Sequence, residues 1–253
     1  MWASDALYSA YSRQVRRGLD PDQIPRHVGV ILDGNRRWAT LQGSSSEAGH
    51  RAGAAKIKEL LGWCESVGVE VVTLWLLSTD NLSSPGEELT QLFDIITDTV
   101  DALADEQRWR LNPVGALAML PPQVSGSLKE SAERTEGVEG LLVNVAVGYG
   151  GRREVVDAVR SLLQAEHERG STLDDVAALL DVEHIADHLY MSGQPDPDLV
   201  IRTSGEQRLS GFLMWQSAHS EFHFCEALWP DFREVDFLRA IRSYGQRHRR
   251  FGT

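Results

Sequence analysis

Cysteine is scarce in this 253-residue chain: Cys64 and Cys225 stand alone, with no CxxC pair. That excludes a zinc ribbon and argues against a disulfide framework. No apolar run reaches about 18 residues, which excludes a membrane-spanning helix. The opening stretch MWASDALYSAYSRQVRRGLD carries Asp5 early and lacks a long apolar core, so it does not read as a secretory signal. Glycine and proline are scattered rather than clustered, which argues against collagen-like or disordered character. Positive charge is short as well: 25 Lys and Arg against 37 Asp and Glu leave a net charge of −12. That balance disfavours nonspecific nucleic-acid binding. What remains is an ordinary soluble globular chain, 42% hydrophobic, expected in the cytoplasm.

An acidic chain that binds an anion must gather its cations locally. Four places do so: Arg36-Arg37, Arg152-Arg153, Arg202 with Arg208, and His248-Arg249-Arg250. The last reads by default as a solvated tail. The first three sit beside glycines.

Between them, apolar runs alternate with stretches of helical spacing. Strands are expected over 27–32 (HVGVIL), 71–77 (VVTLWLL), around 114–120 before Pro121-Pro122, 141–147 (LLVNVAV) and 199–202. Helices are expected over 50–67, 87–103, 153 to about 168, and 232–249. The first buries Ala54, Ile57, Leu60, Leu61 and Cys64 and is closed by Gly68. The second turns Leu89, Leu92, Phe93, Ile96 and Val100 inward. Residues 1–24 read as an N-terminal helical segment. Strand, polar or glycine-rich loop, helix, repeated, predicts an α/β fold: a single domain over 1–253 with a mostly parallel central sheet flanked by helices. Ligands in such folds bind beyond the carboxyl ends of the strands.

Three of those loops carry chemistry. Asp33-Gly34-Asn35-Arg36-Arg37-Trp38 leaves the first strand directly. Glycine admits close backbone approach and arginine forks suit a diphosphate, while Asp33 offers Mg²⁺ a carboxylate to share with phosphate oxygens. The same residues also fit a tight turn closed by an Asx bond. Ser78-Thr79-Asp80-Asn81 leaves the second strand, with hydroxyls and an amide able to orient a reacting group, or simply to lead into the next helix. Arg202 to Ser210, containing Arg208 and Leu209, is a candidate second anion site or a solvated surface loop. His50 opens a helix and could face a bound anion, or act as a capping histidine. Glu221 lies among aromatic residues, where a carboxylate is costly unless paired or metal-bound. Asp94, Asp98, Asp101 and Asp105 fall along a helix face and read as solvated; no DDxxD cluster is present. Two diphosphate sites, one Mg²⁺ and apolar inner walls are what an enzyme joining isoprenoid diphosphates needs.

The segments HVGVILDGNRRWA, GHRAGAAKI, LLSTDNL, NVAVGYGGRREVVDAV, DLVIRTSGEQRLSGFLMWQSAHSEFHF and LWPDF resemble, in order, the signatures of the cis-prenyltransferases, the undecaprenyl diphosphate synthase family. The resemblance implies a homodimer of single α/β domains, acting on isoprenoid diphosphates, with an apolar tunnel between the sheet and two helices. It places Asp33 on the essential Mg²⁺-binding aspartate that assists departure of the allylic diphosphate. It places Gly34, Asn35, Arg36, Arg37 and His50 on that diphosphate's cradle, with Trp38 alongside, and Ser78 and Asn81 near the reacting carbons. Thr79 and Asp80 belong to the same substrate-binding loop. Arg202, Arg208 and Ser210 fall with Leu209 on the second diphosphate site, and Glu221 on the second metal ligand. Arg250 and Gly252 resemble a C-terminal segment that reaches the neighbouring subunit. Four positions depart from the family: Ser46 and Ser84 stand where it has arginines, Leu82 replaces an aromatic, and Asp80 a glutamate. With bulky Leu76 lining the tunnel, these changes imply a short-chain synthase or an irregular, lavandulyl-type one. A noncatalytic partner subunit, which would lack the aspartate, and a metal-dependent phosphohydrolase are the readings from other classes.

Overall fold

The computed structural model describes residues 2–83 and 86–248. Six strands form one wholly parallel sheet: β1 His27–Ile31, β2 Val71–Ser78, β3 Arg110–Val114, β4 Leu142–Tyr149, β5 Leu199–Arg202 and β6 Glu221–Phe224, ordered β3-β4-β2-β1-β5-β6. Parallel neighbours need long crossovers, and the helices supply them. In chain order these are α1 Trp2–Arg17, α2 Asn35–Leu41, α3 Ser46–Val67, α4 Gly86–Asp105, α5 Pro122–Thr135, α6 Gly151–Glu168, α7 Leu173–Leu179, α8 Val182–Ala186 and α9 Glu234–His248. This is the expected α/β architecture.

The sheet separates two apolar cores. The larger takes Val28, Val30, Leu74, Leu77, Val143 and Val145 from the strands and packs them on α3, α4, α5 and α9. The smaller gathers Ile31, Ala146, Tyr149, Val200, Phe212 and Leu213 on the other face. Alternation along β2 therefore sends Leu74 and Leu76 to one side and Trp75 to the other, where its ring stacks on Phe212 with centroids 5.1 Å apart. A bulge then interrupts the register: Trp75 pairs with Ala146 and Leu77 with Val147, so Leu76 is the extra residue. That is why Leu77 faces the same core as Leu74.

Several elements differ from expectation. The strand placed over 114–120 is instead Arg110–Val114. It lies at the sheet edge, where Pro113 is tolerated and Arg110 reaches solvent; Gly115, at φ 127°, then turns the chain away. The apolar residues that suggested a strand form a short 3-10 turn over Leu117–Met119, with Leu120 plugged into the larger core. Helix α3 begins at Ser46, capped by Ser45 Oγ on the Ala48 amide, so His50 sits one turn inside it. Helix α9 starts at Glu234, and Phe232 belongs to the core before it. The expected N-terminal helical segment is α1, followed by a 3-10 turn at Pro21–Gln23.

Candidate active site

The carboxyl ends of β1, β2 and β5 open into one crevice of about 540 Å³. It forms at the switch point of the sheet, where β1 is followed by β2 on one side while the chain returns from β4 to lay β5 on the other. Asp33, Gly34, Asn35, Arg36, Arg37, His50, Ser78, Asp80, Asn81, Arg202, Arg208 and Ser210 all line it. The three loops singled out in the sequence thus meet.

Asp33 is fixed from both sides. Its amide donates to Thr203 Oγ1 at 2.9 Å, and its carbonyl accepts from that hydroxyl at 2.7 Å and from the Trp229 amide at 3.0 Å. Its Oδ2 accepts from Arg202 Nη2 at 2.7 Å, while Arg37 stands 3.8 Å from Oδ1. Burial pushes the Asp33 carboxyl up, but hydrogen bonds from Arg202 and Ser204 and the charges of Arg202 and Arg37 outweigh it and hold the group below its ordinary range. Arg202 is itself almost wholly buried. It also donates to the Arg208 carbonyl and to Ser210 Oγ at 3.1 Å, leaving its Nε without a partner.

Gly34 must be glycine twice over: φ is 112°, and a Cβ would lie 2.9 Å from Leu228. It starts α2, whose first residue presses on α3. A Cβ on Gly53 would come within 2.3 Å of Asn35 Oδ1, so the GHRAG segment is small where the two helices touch. Asn35 Oδ1 and His50 Nε2 are buried without hydrogen-bond partners. Orphaned polar atoms at a crevice wall fit a polar ligand that completes them. Burial and the Arg36 charge lower the His50 pKa, so its ring is neutral near pH 7.

On the β2 side, Ser78 Oγ donates to Asn81 Oδ1 at 2.7 Å and accepts from the Asn81 amide at 3.1 Å. Beneath it, Leu32, His50, Leu76 and Leu92 lead from the crevice into an apolar cavity between α3 and α4, walled further by Ile57 and Ile96. It measures about 40 Å³. The expected tunnel is not open: a cavity of this size is too small for an isoprene unit.

Four expected residues stand apart. Trp38 Nε1 donates to Asp231 at 2.9 Å outside the crevice, and Thr79 packs its hydroxyl against Gly150. Leu209 joins the smaller core. Glu221 opens β6 opposite Leu199, at the end of the sheet away from Asp33, and pairs with Arg247 at 2.9 Å. Within one chain it does not reach a metal on Asp33. Among the described residues no group of three His, Cys, Asp or Glu converges on a metal position. Asp33 alone fits a divalent cation that takes its remaining oxygens from phosphate and water. The Arg152-Arg153 pair also lies elsewhere, Arg153 bonding Asp157 at 2.9 Å. Ser84, Arg250 and Gly252 fall outside the described residues. Sequence reasoning missed two carboxylates at the crevice, Glu88 and Glu206, which pair with its arginines. Nothing in their local sequence distinguishes them from other surface acids.

Comparison with known proteins gives a consistent picture. A prenyltransferase family model, described as undecaprenyl diphosphate synthase, matches residues 31–252. The chain is similar to the (2Z,6E)-farnesyl diphosphate synthase of Thermobifida fusca, with 65% identity over 97% of both chains. It is 52% identical to the short-chain Z-isoprenyl diphosphate synthase of Mycobacterium leprae, over 98% of this chain and 96% of that one. Among solved structures it resembles lavandulyl diphosphate synthase from Lavandula x intermedia in complex with dimethylallyl diphosphate. That likeness has TM-score 0.80 and 33% identity, covering 88% of this chain and 96% of the other.

Proposed function

The chain belongs to the undecaprenyl diphosphate synthase family of prenyltransferases, and from that premise we propose that it is a short-chain cis-prenyl diphosphate synthase. It condenses an allylic diphosphate, geranyl or dimethylallyl, with isopentenyl diphosphate and releases diphosphate. The observation that carries this reading is the single crevice: arginines from separate loops surround Asp33 at the mouth of an apolar cavity. The (2Z,6E) name of the 65%-identical relative describes one cis addition to geranyl diphosphate.

In this reading Asn35, Arg36 and Arg37 hold the allylic diphosphate, and Arg202, Arg208 and Ser210 hold that of isopentenyl diphosphate. Asp33 would hold magnesium, which when bound would supply the positive charge that a leaving diphosphate requires. Ionisation breaks the allylic C–O bond and puts negative charge on the departing group, where preorganised guanidiniums stabilise it without reorganisation. The new C–C bond then forms to the terminal carbon of isopentenyl diphosphate, and a proton leaves its C2. Ser78, whose proton is committed to Asn81 Oδ1 and which also accepts from the Asn81 amide, keeps one lone pair to relay that proton to the released diphosphate. Leu32, Leu76 and Leu92 keep water from the cation and take up the growing chain.

The family resemblance supports a homodimer working in the cytoplasm. No helix among the described residues is long and apolar enough to cross a membrane. Asp33 in place argues against a noncatalytic partner subunit. Irregular coupling of two allylic diphosphates is the second reading; its support is the lavandulyl enzyme at 33% identity, against 65% for the farnesyl synthase.

Chromatography and mass spectrometry of dephosphorylated products, from geranyl or dimethylallyl diphosphate with and without isopentenyl diphosphate, test the assignment. The expected result is farnesyl-length product, formed only when isopentenyl diphosphate is present. A chain longer by several units overturns the short-chain reading. A branched product made from dimethylallyl diphosphate alone moves the enzyme to the irregular class.

A further inference from the structure

Every arginine lining the crevice already has a carboxylate partner. Arg36 faces Glu88 at 3.0 Å and Arg202 holds Asp33 at 2.7 Å. Arg37 lies 3.8 Å from Asp33 and 3.7 Å from Glu206 Oε1, and Arg208 is paired with Glu206 Oε2. Glu206 differs from Glu88 in its reach. It places one oxygen on an arginine of the allylic cradle and the other on an arginine of the second site. The loop that carries it turns through two left-handed residues, Ser204 at φ 80° and Gly205 at φ 74°, which brings the side chain back over the crevice. Its side chain is 33% exposed, and Arg37 and Arg208 are 50% and 62% exposed, so solvent and ligands reach both pairs.

A carboxylate between two guanidiniums takes the place and the charge of a phosphate group. Resting on the reading that both stations hold diphosphates, we infer that Glu206 is a displaceable counter-ion shared by the two substrate sites. Incoming diphosphates expel it from Arg37 and Arg208, and it returns to compete with inorganic diphosphate as product leaves. Glu206 thereby sets affinity and release at both sites, and takes no part in bond making. Water-accessible ion pairs are weak, so the carboxylate can leave at little cost. The Arg202–Asp33 pair is buried, and separating it costs more than parting an exposed pair.

The test uses the full-length, magnesium-supplemented enzyme and inorganic diphosphate as probe. Glu206→Gln should lower the inhibition constant of inorganic diphosphate by about fivefold (~1 kcal/mol). KM for both substrates should fall with it, and kcat should drop as release slows. Glu226→Gln is the control. Glu226 rests its carboxylate against Gly205, and no ion pair joins it to a crevice arginine among the described residues, so that variant should behave as wild type. Weaker inhibition or higher KM in Glu206→Gln would show that Glu206 helps to hold substrate or metal, and would overturn the proposal. Unchanged constants would overturn it too. Equal tightening in both variants would assign the effect to the general field of the crevice and would also overturn it. Failure of the parent reading looks different: wild-type enzyme would then show no calorimetric binding of inorganic diphosphate.

Discussion

Asp33 and Arg202 are each conspicuous in the sequence, but their pairing is not. They lie 169 positions apart and meet only because β1 and β5 are neighbours, with Ile31 beside Arg202. The pairing changes how Asp33 should be tested. Asp33→Ala strands a buried guanidinium, at a cost of roughly 3–5 kcal/mol, so lost activity would be mixed with lost fold. Asp33→Asn keeps an oxygen for Arg202 and removes only the charge. It is expected to retain the circular dichroism spectrum and lose more than about tenfold in kcat, over ~1.4 kcal/mol; a smaller loss contradicts Asp33 as the ionisation residue. Arg208 is exposed and tests the second site more cleanly. Arg208→Ala should raise KM for isopentenyl diphosphate by about tenfold or more, the worth of a charge-assisted hydrogen bond. The allylic KM should move less, and equal rises in both would reduce Arg208 to a loop-stabilising role. Glu221 shows the limit of reading a residue alone. A carboxylate among aromatics demands a partner, and the partner is Arg247 of α9, fixed by tertiary packing rather than by neighbours in sequence.

At the level of elements, buried strands and long amphipathic helices announce themselves by period, and β1, β2, β4, β5, α3, α4 and α6 stand close to where that period puts them. Edge elements do not. β3 carries Arg110 and Pro113 because one of its sides is open, and β6 is only four residues long, so neither shows a clean apolar run. Helix α2 was hidden because its seven residues begin inside the polar cradle itself. The bulge in β2 is the element that bears most on product length. It adds Leu76 on the face of α3 and α4, directly at the apolar cavity. Interiors are close-packed and yield little to an oversized ligand. Leu76→Ala should therefore lengthen the product by at least one isoprene unit, read by mass spectrometry. A filled core position would instead lose roughly 2–5 kcal/mol of stability with no change in product.

Across the whole molecule, the histidines set the acid limit of the fold. His27 is buried, with Nδ1 at 2.7 Å from the Pro195 carbonyl and Nε2 at 2.7 Å from Thr73 Oγ1. Burial lowers the pKa of His27, His50 and His223 below the ordinary 6.5. Below that pH the unfolded chain binds protons that the folded one refuses, so stability falls as pH drops from about 6.5 toward the folded values. Relief of repulsion in a chain of net charge −12 works the other way, but carboxylates titrate mainly below about pH 5. The melting temperature should fall between pH 7 and 5.5, and a flat or rising profile would contradict the buried neutral rings. The central claim, however, concerns the crevice as a whole: it holds two diphosphates at once, one on the Asn35–Arg37 cradle and one on Arg202, Arg208 and Ser210. Calorimetric titration of isopentenyl diphosphate into enzyme saturated with a non-ionising thio-analogue of geranyl diphosphate measures that directly. Simultaneous binding, with isopentenyl diphosphate weakened about tenfold or more by Arg208→Ala while the analogue binds as before, is the expected result; competition between the two ligands for a single site would contradict it.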